Sequence, residues 1–253
     1  MILTKSYREI DLMRKAGQIT ALAHEVVRKE IKPGVSTAYL DKIIEKTIFE
    51  AGGVPSFKGL YGFPASACIS INEELVHGVP NKRVLKNGDI VSIDIGACYQ
   101  GYHGDSAWTY PVGEVSQEAL ALMKVSQEAL FVGLEQVKAG NRLGDISAAI
   151  GNYIHSHGYS TPADYTGHGI GFELHEAPVI PNFGEAGKGP LLKEGMTFAI
   201  EPMVHVGQPF TKVLSNDWTV VPKDGSLSAH YEHTVLVTKD GYEILTKNIE
   251  EEY

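Results

Sequence analysis

The feature that most constrains this chain is a pattern written twice. The stretch KPGVSTAYLDKIIEKTIFEAGG is answered 106 residues later by KAGNRLGDISAAIGNYIHSHGY. At that offset Gly34 meets Gly140, Leu40 meets Ile146, Ile44 meets Ile150, Ile48 meets Ile154 and Gly52 meets Gly158. The preceding segments end alike, with Ile31 against Val137. After each copy comes a turn-rich stretch and then a histidine with proline three residues on: His77-Gly-Val-Pro and His175-Glu-Ala-Pro. A unit this long is not a solenoid repeat. It predicts a duplicated helix–helix–strand unit, giving two pseudo-symmetric halves, roughly 1–110 and 111–253, of one α+β domain spanning 1–253. A chain of 253 residues suits that organisation, and no composition shift marks a linker.

Composition removes several alternatives. With 43% hydrophobic and 21% charged residues the chain is an ordinary globular one, not disordered or fibrous. The net charge of −9 makes nucleic acid a poor substrate. No apolar run approaches a membrane span, and the charged start MILTKSYREIDLMRKAG has no apolar signal-peptide region. Two cysteines, Cys68 and Cys98, are too few for a disulfide framework. The expectation is a cytoplasmic protein.

Hydrophobic period places the elements. Ile10, Met13, Ile19, Leu22 and Val26 mark one amphipathic helix. A second, capped by Ser36 or Thr37, carries the stripe Leu40, Ile43, Ile44 and Ile48 and ends at Gly52. The stretch from Gly113 to Gly140 reads as a long helix with Ser116 as cap and Glu118 in its first turn. Period two over IVSIDIGACYQGYHGDSAWTYPVG predicts a hairpin with strands near 90–97 and 102–110. MTFAIEPMVHV and SAHYEHTVLVT read as further strands.

Acids inside these apolar strands need a reason. Asp94 lies in IVSIDIG. A two-residue turn at Tyr99-Gln100 would set Asp105 directly across from it, while Gly101 leaves a bulged turn open. Glu201 in FAIEP and Glu232 in YEHTVLV are further cases, and His168 sits in Gly167-His-Gly-Ile-Gly171 without the Lys-Ser/Thr of a phosphate loop. Singly, each has an ordinary explanation: a strand acid on a wet face or in an ion pair, a loop histidine, Cys68 and Cys98 as small buried residues, Trp108 and Trp218 as packing. The conjunction does not. Four carboxylates repel unless cations join them, and with one imidazole they make an oxygen-rich set that favours Mn, Fe(II) or Co over a thiolate zinc site. Two divalent ions would balance the four charges and hold a water of lowered pKa, with a remaining His or Glu to move protons. That is a metal-dependent hydrolase.

These pieces resemble the type I methionine aminopeptidases: Asn72-Glu-Glu-Leu-Val-His77-Gly-Val-Pro80, Asp94 to Asp105 in IDIGACYQGYHGD, Gly167-His168-Gly-Ile-Gly171 through His175-Glu-Ala-Pro178, Glu194 to Pro202, and Ser228-Ala-His-Tyr-Glu232-His-Thr234, in family order over essentially the whole chain. The resemblance implies the pita-bread fold, a pseudo-twofold antiparallel sheet flanked by helices. It implies a dinuclear centre held by Asp94, Asp105, His168, Glu201 and Glu232, with Asp105 and Glu232 bridging and Glu201 also handling the proton of the attacking water. It implies His77 near the scissile amide and the substrate amine side, and His175 on the carbonyl. The substrate α-amine would occupy a metal position, which confines cleavage to the N-terminal residue. By position the methionine pocket is walled by Phe57, Phe63, Cys68, Leu174 and Trp218; Phe57, Phe63 and Leu174 stand where Cys, Tyr and Phe are frequent in bacterial relatives. Asn72, Glu74 and Ser228 fall where some relatives hold a monovalent cation. The implied partners are nascent polypeptide N-termini with a small second residue, and transiently the ribosome; monomer is the family default.

Three other readings are weaker. Proline-specific enzymes of this fold usually carry a preceding domain, and only 93 residues precede Asp94. Non-catalytic binding proteins of the fold lose ligands, and none is lost here. The type II enzymes carry a helical insertion, for which the 33-position separation of His168 and Glu201 leaves little room.

Overall fold

The computed structural model describes residues 2–247. In chain order it comprises α1 (Tyr7–Arg28), α2 (Thr37–Glu50), β1 (Val54–Pro55), β2 (Ala67–Ile71), β3 (Ile90–Tyr99), β4 (Tyr102–Pro111), α3 (Gln117–Leu134) and α4 (Leu143–Ser156). Then follow β5 (Gly167–Gly169), β6 (Glu176–Ile180), β7 (Thr197–Ile200), β8 (Met203–His205), β9 (Thr211–Val213), β10 (Val220–Pro222), β11 (Ser228–His230), β12 (His233–Val237) and β13 (Tyr242–Ile244). The architecture is α+β, as expected.

Local chemistry sets the helix ends. The hydroxyls of Ser6, Ser36 and Ser116 each accept from an amide three residues on, and Glu9 closes a reciprocal box with Ser6. Both α2 and α4 run 14 residues, and their first residues, Thr37 and Leu143, stand 106 apart. The glycines flanking them match as well: φ is 90° at Gly34 and 97° at Gly140, 85° at Gly52 and 81° at Gly158. The buried face of α1 carries Ile10, Met13, Ile19 and Val27, whereas Leu22 is exposed and Val26 half-buried.

Two sheets carry the site. In the first, β3 is central, with β4 on one edge and β1 and β2 sharing the other. The second has the order β13-β12-β7-β5-β6. Helices α1 and α2 bury Ile19, Val27, Leu40 and Ile44 against Ile69, Val91 and Ile93 of the first sheet. Helices α3 and α4 bury Leu122, Leu130, Ile146 and Ile150 against Phe198 and Val235 of the second. Each such fully buried side chain contributes about 1.5–3 kcal/mol.

The hairpin register corrects one expectation. The turn residues are Gln100 and Gly101, both at positive φ (49° and 86°), as a two-residue hairpin turn matched to strand twist requires. Tyr99 therefore pairs with Tyr102, Asp94 with Ala107, and Gly96 with Asp105. Asp94 and Asp105 are diagonal neighbours, not direct partners. The register slips by two residues, so both carboxylates keep the same face.

Glu201 and Glu232 also depart from the strand reading. Each sits where a predicted strand divides: Glu201 between β7 and β8 beside Pro202, Glu232 between β11 and β12. Pro202 has no amide to donate to a ladder, so the pairing must break there. On one side of the break β7 pairs with β12; on the other β8 pairs with β11. The two sheets meet along a seam at this level. Glu232 N donates to Ala107 O at 2.8 Å, and Ala107 N to Glu232 O at 3.4 Å.

Candidate metal centre

The seam gathers acids from separate segments. Asp94 comes from β3, Asp105 from β4, His168 from β5, and Glu201 and Glu232 from the two strand breaks. Single ligand atoms of Asp105, His168 and Glu232 lie within 4.8 Å of one another, and so do those of Asp94, His230 and Glu232. His168 Nε2 stands 3.4 Å from Glu201 Oε1 and 4.0 Å from Asp105 Oδ2. His230 Nε2 stands 3.5 Å from Glu201 Oε2 and 3.7 Å from Glu232 Oε2. All five residues singled out from the sequence thus face one space. A sixth, His230, was missed. It lies two residues before Glu232, and that spacing along extended chain was the available signal, since it shares a face.

The backbone positions these side chains. His168 sits in β5, not in a loop, between β6 and β7. A Cβ on Gly167 would meet Ala199 O at 2.5 Å, and one on Gly169 would meet Ala177 O at 2.2 Å. Only glycine lets these strands approach so closely. His168 Nδ1 lies 2.9 Å from Gly169 O, an arrangement that places the proton on Nδ1 and leaves Nε2 free to bind a cation.

Electrostatics without a cation is unfavourable. Burial, then the charges of Asp105 and Glu201, pushes the Asp94 carboxyl well up; a hydrogen bond to Asp105 also holds a proton on it. Burial raises Asp105 to about 7, less than it otherwise would because Asp105 accepts from Asp94 and from the Ser106 amide. Burial and neighbouring carboxylates push Glu201 and Glu232 well up. The histidines move the other way. Burial, then His175, takes His168 down to about 4, and burial, then His77, takes His230 down to about 3. Asp94 Oδ1, Asp105 Oδ1, Glu232 Oε1 and His230 Nε2 are buried with no hydrogen-bond partner among the described residues. Orphaned oxygen and imidazole lone pairs converging on one space fit divalent cations.

The cluster forms the floor of a cavity of about 430 Å³. Phe57, Phe63, Cys68, Leu174 and Trp218 all line it, and Phe63 meets Trp218 edge-on at 5.1 Å. Cys68 is inert as a nucleophile, because burial and nearby carboxylates hold its thiol protonated. Leu60, Tyr61, Val76, Tyr165 and Met203 also line it, none of them singled out from the sequence. His77 and His175 line the same cavity; burial, then His175, lowers His77 to about 4, and burial lowers His175. His77 holds a φ of 58°, a left-handed backbone rare outside glycine.

Near Asn72 the picture is mixed. Its amide donates to Asp89 at 2.9 Å and accepts from Ile90 N at 3.0 Å. Glu74 is engaged by Ile71 N and Arg83. Ser228 Oγ is buried without a partner among the described residues.

Comparison with known proteins agrees with this geometry. Residues 11–239 match the model of metallopeptidase family M24. Methionine aminopeptidase 1 of Bacillus subtilis is 53% identical over 98% of this chain and 100% of its own length. The crystal structure of a methionine aminopeptidase from Thermotoga maritima superposes with a TM-score of 0.97 at 46% identity, covering 98% of this chain and 100% of that one. A prolidase from Pyrococcus furiosus superposes at 0.80 with 28% identity, covering 97% of this chain but 65% of its own. These neighbours share the pita-bread fold. The chain belongs to metallopeptidase family M24, within its methionine aminopeptidases.

Proposed function

We propose that the protein removes the initiator methionine from nascent polypeptides whose second residue is small. The observation that carries this is the junction of a six-residue carboxylate–imidazole cluster with an apolar cavity of about 430 Å³. An unbranched thioether side chain suits such walls. We also read residues 1–253 as one catalytic domain of two halves, roughly 1–110 and 111–253, because α2 and α4 match at a constant offset and both halves contribute acids.

Asp94, Asp105, His168, Glu201 and Glu232 would hold two divalent ions, Fe(II), Mn or Co. Bound there, the ions supply Lewis acidity, which makes water nucleophilic at neutral pH and polarises the scissile carbonyl. Glu201 takes a proton as water oxygen bonds to the carbonyl carbon, then delivers it to the leaving amine as the C–N bond breaks. Its position between the Nε2 atoms of His168 and His230 fixes its orientation. His175 and His77, both neutral at pH 7, donate N–H bonds towards the carbonyl oxygen and the amide region, where charge develops. The unpartnered Ser228 Oγ supports a monovalent cation near Asn72 and Glu74. Among the described residues no helix is long and apolar enough to cross a membrane. Cytoplasmic location, transient ribosome contact and a monomeric state accompany this reading.

The test is a peptide mixture of Met-Gly-Ser, Met-Leu-Ser and Ala-Pro-Ser on anaerobic, Mn- or Fe(II)-loaded protein, read by mass spectrometry. Loss of methionine from the first alone is the expected result. Cleavage before proline alone would transfer the protein to the proline-specific branch.

A further inference from the structure

The chain before α1 reaches the catalytic cavity through one buried ion pair. Lys5 N donates to Gly195 O at 2.7 Å, which anchors the segment. Lys5 Nζ then donates to Glu176 Oε2 at 2.6 Å, with side chains only 5% and 13% exposed. The other Glu176 oxygen accepts from Glu173 N at 3.3 Å, so the carboxylate ties Lys5 to the loop that carries His175. That loop begins at Gly171, whose amide donates to Glu173 O at 3.0 Å. A Cβ on Gly171 would meet Lys5 Cε at 2.2 Å and Glu176 Oε1 at 2.6 Å. Gly171 thus leaves room for the ion pair.

A buried ion pair contributes little net stability, because desolvation of both charges offsets their attraction. Its effect is geometric. Glu176 follows His175 directly, and the His175 ring meets the His168 ring at 4.5 Å. Glu176 also lines the cavity, so without Lys5 a bare carboxylate would stand beside the substrate. We propose that Lys5 and Glu176 are positioning residues for the peptidase reaction, holding the His175 loop so that the imidazole meets the developing negative charge. This rests on the role given to His175 above.

The test compares Lys5→Met, Glu176→Gln and the double variant in the Mn-loaded enzyme with a Met-Gly peptide. Each single variant is expected to lose kcat on the order of 10–100-fold, with KM and metal content close to wild type. The double variant should be no worse than the poorer single one, since both remove the same constraint. Glu176→Gln keeps the side-chain shape and covers the case in which Lys5→Met does not fold. Wild-type kcat in a folded variant, or a loss confined to KM, would overturn the proposal. A second readout does not need turnover: the His175 ring resonances, assigned by their loss in His175→Asn, should shift in both single variants. If wild type cleaves no Met peptide, the functional reading fails, and the resonances alone decide whether the pair positions His175; unmoved resonances refute it.

Discussion

The ring of Tyr61 lies parallel to the His175 imidazole, 6.1 Å away and inclined by 11°. Tyr61 is 78% exposed, and its backbone φ is 51°. A left-handed tyrosine costs about 1–2 kcal/mol, so an exposed ring held that way has something to offset it. The offset is the stack, together with the cavity wall it completes. Tyr61→Gly relieves the backbone but removes the ring. Its melting temperature should hold or rise slightly, while kcat falls about 2- to 10-fold, the worth of one ring pair. Tyr61→Phe should retain most of the activity. Steady-state kinetics beside a thermal melt separates the two effects.

In the proposed mechanism Glu201 combines two duties, ligand and proton carrier, and its carboxylate lies within reach of two imidazoles. Glu201→Ala should lower kcat by roughly 10³-fold or more, general acid–base work alone accounting for about 10²–10⁴. Bound metal, measured by elemental analysis, should fall with it. His175→Ala should instead keep its metal and lose turnover. An active Glu201→Ala enzyme would show that the wrong acids have been assigned.

Metal removal should leave a pH signature. In the metal-free protein burial raises Asp105 to about 7 and Asp94, Glu201 and Glu232 well above the carboxylate range. Carboxyls raised on folding give stability that is full below their unfolded values near 4 and lost as pH rises through the folded ones. The buried histidines, lowered on folding, act the opposite way, but only below about pH 6.5, where the unfolded chain protonates them. Between about pH 7 and 9 the histidines are silent, and the carboxyls decide the sign. With chelator present, stability should therefore fall from pH 7 to 9. Saturating Mn at 100 times its Kd should restore about 2.7 kcal/mol. Thermal melts at pH 7, 8 and 9, with and without chelator, measure both effects.

Much of the site was legible because side-chain parity survives errors of register. The expected pairing of Asp94 with Asp105 differs from the observed register by two residues, yet a shift of two preserves the face, so the two carboxylates still converge. The repeat was legible because helix lengths and left-handed glycines recur at one offset. What period two could not show were the strand breaks. Apolar residues on both sides of Glu201-Pro202 read as one strand and hide the point where Pro202 forces β7 and β8 apart, and that break aims Glu201. His230 is less legible because a histidine in an apolar strand is less anomalous than an acid, although an imidazole two residues from Glu232 carries the same positional information. Tyr61 had no sequence signal, since its role depends on a left-handed backbone.

Two threonines clasp β4 to the β11–β12 region, each at the backbone of a residue in the carboxylate–imidazole cluster. Thr234 Oγ1 donates to Asp105 O at 2.8 Å and accepts from Asp105 N at 2.9 Å. Thr109 Oγ1 likewise donates to His230 O and accepts from His230 N, both at 3.0 Å. Each hydroxyl substitutes for a missing strand partner and fixes the backbone of a residue in the cluster. Valine has the same shape without the hydroxyl, so Thr234→Val leaves a buried amide and a buried carbonyl of Asp105 unpaired. At about 1–3 kcal/mol for each unsatisfied group, the variant should lose roughly 2–6 kcal/mol of stability. Because the strain falls on Asp105, metal affinity should fall too, whereas Thr47→Val, which removes an α2 hydroxyl bonded only to its own helix at Ile43 O, should leave metal affinity alone. Denaturant unfolding and metal titration on the two variants check this; equal metal affinities would mean that the Thr234 clasp stabilises the fold without shaping the centre.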